Sequence, residues 1–458
     1  MIGIGRKDTY GGDTPQPDPN TTRQLRELSE RLRAVEGRLA GLRDDVDLVR
    51  HISEMSRSTL SMVSRRAGAR GEPIRVLFLV HHPEAWYALA DVYAAMAAAD
   101  DFRPVVASLP RHFPGSAAHK DEDFVHERLM AFGVPHLRFN DPDPYLDLDI
   151  VRAIDPHLIF RQSQWDGDVP AAFHTPEIRF ARLGLVPYET MNIIHNVVDA
   201  DGIGNSAVDN LYQRNCWRVF CTNEPMLDMA SQDSPGTGGR QFVVTGHPKA
   251  DVLRRHAGRP AEPGHRFTVL WSAHHSIGDN WTRFGTFPTA APAMLAAARE
   301  HPEWDFVFSP HPALITQLER GAAPLDSPAV RTFRAQWDAL DNTEVFGGGD
   351  YGPVFERSDV CFTDGLSWLL EYQLVAKPVV FLERQGHRPF NEIGERVLAG
   401  VHTVADVSEG VRLMEGFAGG AEDPLRDEQG RITDELFGPP GAAGRIVDAV
   451  RSGFAEAG

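Results

Sequence analysis

Lysine is nearly missing from this sequence. Of 458 residues, only Lys7, Lys120, Lys249 and Lys377 are lysines. None follows a glycine, so a GxxxxGK[ST] phosphate loop is excluded. Cysteine is as scarce. Cys216, Cys221 and Cys361 are odd in number and form no CxxC, which speaks against a disulfide framework or a zinc knuckle and fits a reducing cytoplasm. They read as small buried residues. No run of about 18 apolar residues exists to span a membrane as a helix. The opening MIGIGRKDTYGG has neither the apolar core nor the small-residue cleavage site of a secretory signal. HExxH and GxSxG are absent, which removes the motif basis for a metalloprotease or a serine hydrolase. Positive charge is also lacking, since the formal net charge is −18. A protein that coats nucleic acid needs the opposite sign. A phosphate held in a local pocket does not.

What is present begins with an ordinary apolar share, 42%, which excludes wholesale disorder and suits two or three globular domains. Residues 1–21 are polar and rich in Pro and Gly and read as a disordered lead-in. A strict pattern follows. Leu25, Leu28, Leu32, Val35, Leu39, Leu42, Val46 and Val49 recur at alternating spacings of 3 and 4. That is a heptad seam, and it predicts a coiled-coil helix over 22–66 that joins copies of the chain through residues 25–49. One long helix laid on its own domain is the alternative. Arg57, Arg65, Arg66 and Arg70 gather near its end. A solvated helix end accounts for them, with contact to an anionic membrane face as the alternative.

Beyond Gly71-Glu72-Pro73, strands and helices alternate. Ile74–Val80 is a continuous apolar run, as a central parallel strand requires. PVVASL, HLRF, HLIFRQ, NIIHN, RVFCTN and QFVVTG follow as further strand-like runs. His256–Arg266 has the composition of a linker. A second series then runs FTVLWSA, WDFVFSP, TEVF, VCFTD, PVVFLE and VHTV, ending in a helix from about Ala442 to Phe454. The predicted fold is α/β, with two Rossmann-like doubly wound domains over 73–255 and 265–455.

Open α/β sheets bind ligands beyond the carboxyl ends of their strands. In the second half three such ends are polar. FTVLWSA leads into His274, His275 and Ser276. WDFVFSP leads into His311, with Pro312 suited to a first helical turn. VCFTD ends at Asp364, and Gly365 and Ser367 open a helix whose free N–H groups suit a diphosphate. Glu371 lies one turn further on, where ribose hydroxyls would be. The alternatives are structural: Asp364 or Ser367 as a helix cap, Glu371 as a surface acid, and the histidines as satisfied core residues. In the first half, His81-His82 follow the first strand and His195 ends NIIHN. A neutral His195 facing the second domain could take a proton from an acceptor hydroxyl.

These segments resemble the CDP-glycerol glycerophosphotransferases of teichoic acid and capsule assembly, whose fold is the two-Rossmann glycosyltransferase-B (GT-B) type. The resemblance rests on Val244–Asp251, WSAHHSI, Phe308-Ser309-Pro310-His311-Pro312, SDVCFTDGLSWLLEYQLVAKPVVFL and FGPPGAAGRIVDAV. It covers roughly residues 240–450, with IIHN matching more loosely. Gly365, Leu366 and Ser367 stand where that family has a tyrosine and paired serines. His195-Asn196-Val197 replaces its His-Gly-Thr, and Glu371 replaces an aspartate. The resemblance implies a cytoplasmic or peripherally membrane-associated transferase that needs no metal or other cofactor. It implies His195 and His311 as catalytic residues. The donor would be held by His274, His275, Ser309, Asp364, Gly365, Ser367 and Glu371. The expected partners are a nucleotide-diphosphate donor of the CDP-polyol class and a polyol or sugar acceptor, with no nucleic acid. A nucleotide-sugar transferase is the alternative, and a non-catalytic coiled-coil scaffold a third reading.

Overall fold

The computed structural model describes residues 19–68, 72–112, 118–195, 205–258, 263–278, 282–321, 323–348 and 350–456. The chain divides into two compact units, residues 1–64 and 65–458. The described residues of the first all belong to one helix, Pro19–Gly68, whose last residues run past Ser64. Proline opens it, where a missing N–H costs nothing. Along it Leu28, Leu32, Val35, Leu39, Leu42, Val46 and Val49 remain 51–65% exposed. From Leu28 to Val49 the heptad stripe is therefore exposed along this helix. Among the described residues, no helix is long and apolar enough to cross a membrane.

The second unit holds two parallel sheets. The first contains β1 (Ile74–Val80), β2 (Phe102–Ser108), β3 (Leu137–Arg138), β4 (Leu158–Arg161), β5 (Arg182–Leu185), β6 (Arg218–Cys221) and β7 (Phe242–Val244), in the spatial order 3-2-1-4-5-6-7. The second contains β8 (Thr268–Ala273), β9 (Asp305–Pro310), β10 (Thr343–Val345), β11 (Val360–Thr363), β12 (Val379–Leu382) and β13 (His402–Val404), in the order 10-9-8-11-12-13. The two orders are the same doubly wound pattern. In each, the direction of winding reverses beside the first strand, between β1 and β4 and between β8 and β11, and a crevice opens there. Val76–Val80 are at most 1% exposed, because helices cover both faces of the sheet. The second core is aromatic. Trp271 lies 4.4 Å from Phe308 and 5.8 Å from Phe287, ring to ring.

Two expectations change. NIIHN is not a sheet strand. Ile194 makes only an isolated bridge to Phe390, and its neighbours pass between the lobes. The fifth strand is Arg182–Leu185 instead. A Cβ at its Gly184 would press on the ring of Phe160, so the strand needs that glycine to sit beside β4. The closing helix, Ala442–Ala455, also leaves the lobe it follows. Its Ile446, Val447 and Val450 are buried among Val76, Phe78 and Val92 of the first lobe, and Arg451 pairs with Asp101 at 2.6 Å. The second lobe therefore does not extend to 455, because this apolar face completes the other sheet's cover. All three cysteines are free and buried, and burial raises each thiol's pKa, that of Cys221 to about 12. None is poised as a nucleophile.

Candidate functional site

The second lobe's crevice is built from three histidines and a carboxylate. Asp364, directly after β11, is 2% exposed. Its Oδ1 accepts from the backbone N–H of His274 at 2.6 Å, and its Oδ2 accepts from the backbone and hydroxyl of Thr286 at 2.5 and 2.7 Å. It caps no part of the helix Ser367–Glu371, and neither does Ser367, which lies at its exposed start. Asp364 instead fixes the loop that carries His274. Burial raises its pKa to about 6.

His274, His275 and His311 gather beyond β8 and β9. The His275 ring is 4.2 Å from His311 and 4.5 Å from His274. The Nδ1 of His274 accepts from Ser276 N–H, and the Nδ1 of His311 accepts from Ala313 N–H. In the neutral ring the proton must then sit on Nε2. Both imidazoles thus offer an N–H donor. Burial, followed by the neighbouring imidazoles, holds the pKa of His274 well below the ordinary histidine value. His311 keeps an exposed edge, yet crowding by the two lobes depresses it as well, with His275 and His82 adding to the effect. His275 falls to about 4 through burial, and its buried Nδ1 has no protein partner among the described residues. The crevice presents neutral donors rather than fixed cations.

The other expected residues take different places. Gly365 approaches the site, with a hypothetical Cβ 3.9 Å from His274 Cδ2 and 3.2 Å from Thr363 Oγ1. Its φ is not left-handed, so close approach rather than backbone freedom is what favours glycine. Ser309 is 8% exposed in β9, beside Ser272 of β8. Glu371 is 1% exposed. Its Oε1 accepts from Lys249 Nζ at 3.0 Å and its Oε2 from the Tyr351 hydroxyl at 3.1 Å. Lys249 also donates to the Tyr188 carbonyl. Glu371 therefore ties the second lobe to the first, and a ribose would have to share its oxygens. His195 is exposed at the crossing between lobes, where its N–H donates to the Pro389 carbonyl at 2.9 Å. Asn196 and Val197 lie outside the described residues.

The first lobe repeats the arrangement. His81-His82 follow β1, and Gln162, directly after β4, braces their backbone. Gln162 Oε1 accepts from both N–H groups at 2.9 Å, and its Nε2 donates to the His82 carbonyl at 2.9 Å. His82 adds to the lowered pKa of His311, and Tyr87, in the turn that follows His82, lies 5.6 Å from Tyr351 of the second lobe, ring to ring, so the two crevices face one another. The sequence shows the two doublets, His81-His82 and His274-His275, each after the first strand of its series. Their shared position was the available signal for adding the first pair to the site.

The sequence matches no protein-family model and no curated protein. Solved structures do match. A putative UDP-N-acetylglucosamine 2-epimerase from Listeria monocytogenes superposes with a TM-score of 0.55 at 15% identity, covering 84% of this chain and 97% of that one. The UDP-GlcNAc 2-epimerase from Neisseria meningitidis bound to UDP-GlcNAc gives 0.54 at 13%, covering 83% and 100%. The wall teichoic acid polymerase TagF gives 0.52 at 11%, covering 88% and 98%. At these identities the likeness is one of fold: two Rossmann-like lobes of the GT-B type.

Proposed function

We propose that this protein is a GT-B transferase that moves a group from a nucleotide-diphosphate donor to an acceptor hydroxyl. The observation that carries the proposal is the convergence of His274, His275 and His311 at the carboxyl ends of β8 and β9, opposite His82 of the other lobe. Two Nε2–H donors there suit the oxygens of a diphosphate. They stabilise the charge that develops on the leaving phosphate. Closure of the lobes limits donor hydrolysis by excluding water. His195 takes the acceptor's proton. The donor pocket works without a metal, because its charge is met by hydrogen bonds.

We place the donor in the CDP-polyol class, with CDP-glycerol as the specific case, and the product in a cell-surface polymer. Support comes from the segments around His274, His311 and Asp364 and from the likeness to a teichoic acid polymerase. The acceptor oxygen then attacks phosphorus, the bond between the two phosphates breaks, CMP leaves and a phosphodiester remains. A second reading is favoured by the epimerase likenesses, one of which holds UDP-GlcNAc. It has a nucleotide sugar in the same pocket. Incubation with CDP-glycerol, CDP-ribitol and UDP-, GDP- and dTDP-sugars, with nucleotide release followed, separates the two. CMP from CDP-glycerol is expected. Release of UDP or epimerisation of UDP-GlcNAc would replace the first reading with the second. No calorimetric binding of any nucleotide would sink both and leave the scaffold.

The exposed stripe of the helix Pro19–Gly68 is proposed to pair with a second copy of the chain through residues 25–49. Deleting residues 1–66 should lower the oligomeric state seen by light scattering, the particle mass divided by the mass of the shortened chain. An unchanged number of copies overturns this pairing.

A further inference from the structure

The first lobe's crevice contains groups that the transfer chemistry above does not use. His81 is completely buried, and neither of its ring nitrogens has a hydrogen-bond partner among the described residues. A buried polar group without a partner calls for an explanation. Three ligand atoms from His81, His82 and Asp168 lie within 4.8 Å of one another. The rings of His81 and His82 are adjacent, at 4.2 Å and 48°. Neighbouring residues in an extended strand point to opposite faces. These two share a side because β1 stops at Val80 and a 3-10 turn begins at Pro83.

We propose that His81, His82 and Asp168 form a site for a divalent transition-metal ion of the zinc class. Two neutral imidazoles and one carboxylate are a donor set that zinc accepts, with a fourth position left for a water or a substrate oxygen. Bonds of about 2.0–2.1 Å place tetrahedral ligand atoms roughly 3.3 Å apart. The observed separation therefore closes with a side-chain movement on the order of 1 Å.

The supporting shell is already in place. Gln162 braces the backbone of both histidines. Ser163 Oγ donates to Asp168 Oδ2 at 2.5 Å, which orients the carboxylate and leaves Oδ1 for an ion. Such outer contacts orient first-contact ligands and tune affinity. Two arginines stand nearby, and each has a carboxylate of its own. Arg161 pairs with Asp166 at 2.7 Å and Arg111 with Glu84 at 3.3 Å. These pairs offset part of their charge, and the remainder still acts on the two histidines.

The turn Pro83–Ala88 that follows His82 meets the second lobe, with Tyr87 5.6 Å from Tyr351, so the site borders the cleft between the lobes. An acceptor hydroxyl on the fourth position would be polarised there, and that role rests on the transferase reading. The site itself does not. The test uses untagged full-length protein, stripped with a chelator and titrated with Co2+ by absorption spectroscopy and with Zn2+ by calorimetry. No donor or acceptor is present. One equivalent should bind, with visible bands of four-coordinate Co2+. His81→Ala, His82→Ala and Asp168→Asn should each weaken binding at least tenfold. His402→Ala, which breaks a His–Asp pair elsewhere, should not. Circular dichroism of each variant separates loss of ligand from loss of fold. Absence of stoichiometric binding, or equal affinity in the three variants and wild type, overturns the site. Nucleotide binding, measured separately, fails or succeeds independently and judges the transferase reading alone.

Discussion

At the end of β1 a histidine pair is braced by an amide. At the end of β8 a histidine pair is braced by a carboxylate. Gln162 and Asp364 stand directly after β4 and β11, the equivalent strands of two sheets with the same order. Gln162 both accepts and donates, and it holds only the His81-His82 backbone. Asp364 only accepts, and it joins the His274 loop to Thr286, the residue before the helix Phe287–Glu300. On the two proposals above, one architecture would serve two ligand chemistries. In the second lobe the backbone of His274 is tied to Asp364, and the rings of His274 and His311 accept at Nδ1, which leaves their Nε2–H groups as donors. In the first lobe, His81 has no partner for either ring nitrogen among the described residues, and it lies beside the Asp168 carboxylate.

The largest effect should come from breaking this division of labour. His311→Ala should lower turnover of the nucleotide donor by about 10²–10³, the usual cost of losing one charge-stabilising donor. His82→Ala should leave nucleotide affinity, measured by calorimetry without acceptor, close to wild type. Equal losses of nucleotide affinity in both variants would erase the distinction between lobes. The braces come next. Asp364→Ala leaves the N–H groups of His274 and Thr286 without their acceptor in a buried site, at about 1–3 kcal/mol for each such group. Gln162→Ala likewise leaves the N–H groups of His81 and His82 without an acceptor, but the bonds it removes are neutral, about half as strong as those to a carboxylate. Urea unfolding should therefore rank Asp364→Ala as the more damaging, and the reverse order would mean the braces are not equivalent.

The remaining comparison is in pH. His275, His82 and His247 fall to about 4, 3 and 3 in the folded protein. The unfolded chain binds more protons than the folded one below about pH 6.5, so these histidines remove stability as the pH drops from there towards 4. Asp364 acts in the opposite sense. Its folded pKa is raised to about 6, so between about pH 4 and 6 the folded state holds the extra proton and gains stability on acidification. Asp364→Asn removes that opposing contribution. Its loss of stability between pH 6 and 4 should be steeper than wild type, and a shallower slope would contradict the assignment.

Much of this was legible in the sequence. Continuous apolar runs such as Ile74–Val80 announce buried parallel strands, and the polar residues after them announce the crevice. The misreadings have a physical pattern. Ile193 and Ile194 are as buried as strand residues, at 4% and 5%, but against Phe390 and Asn391 of the other lobe, and an apolar run does not say which surface covers it. Arg182–Leu185 was hidden because a four-residue strand containing a glycine has little pattern to read. Glu371 sits at the helical spacing from Ser367 that suggested a ribose contact. Its actual partners, Lys249 and Tyr351, are 122 and 20 residues away. Local spacing identifies a helix face but not the distant groups that will occupy it. The histidines were found because strand ends are a local property.

The helix Ala442–Ala455 has a consequence for how the protein comes into being. Ile446, Val447 and Val450 belong to the core of the lobe that begins at β1. That lobe cannot finish its core while its last pieces are still inside the ribosome. At about 5–20 residues per second, the roughly 200 residues that separate Arg254 from Ala455 delay completion by on the order of 10–40 s. During that interval the second lobe is made and can fold, while one face of the first waits uncovered. The lobe synthesised first is thus the last to be finished, and a nascent chain stalled near its end would display an apolar surface for chaperones to hold.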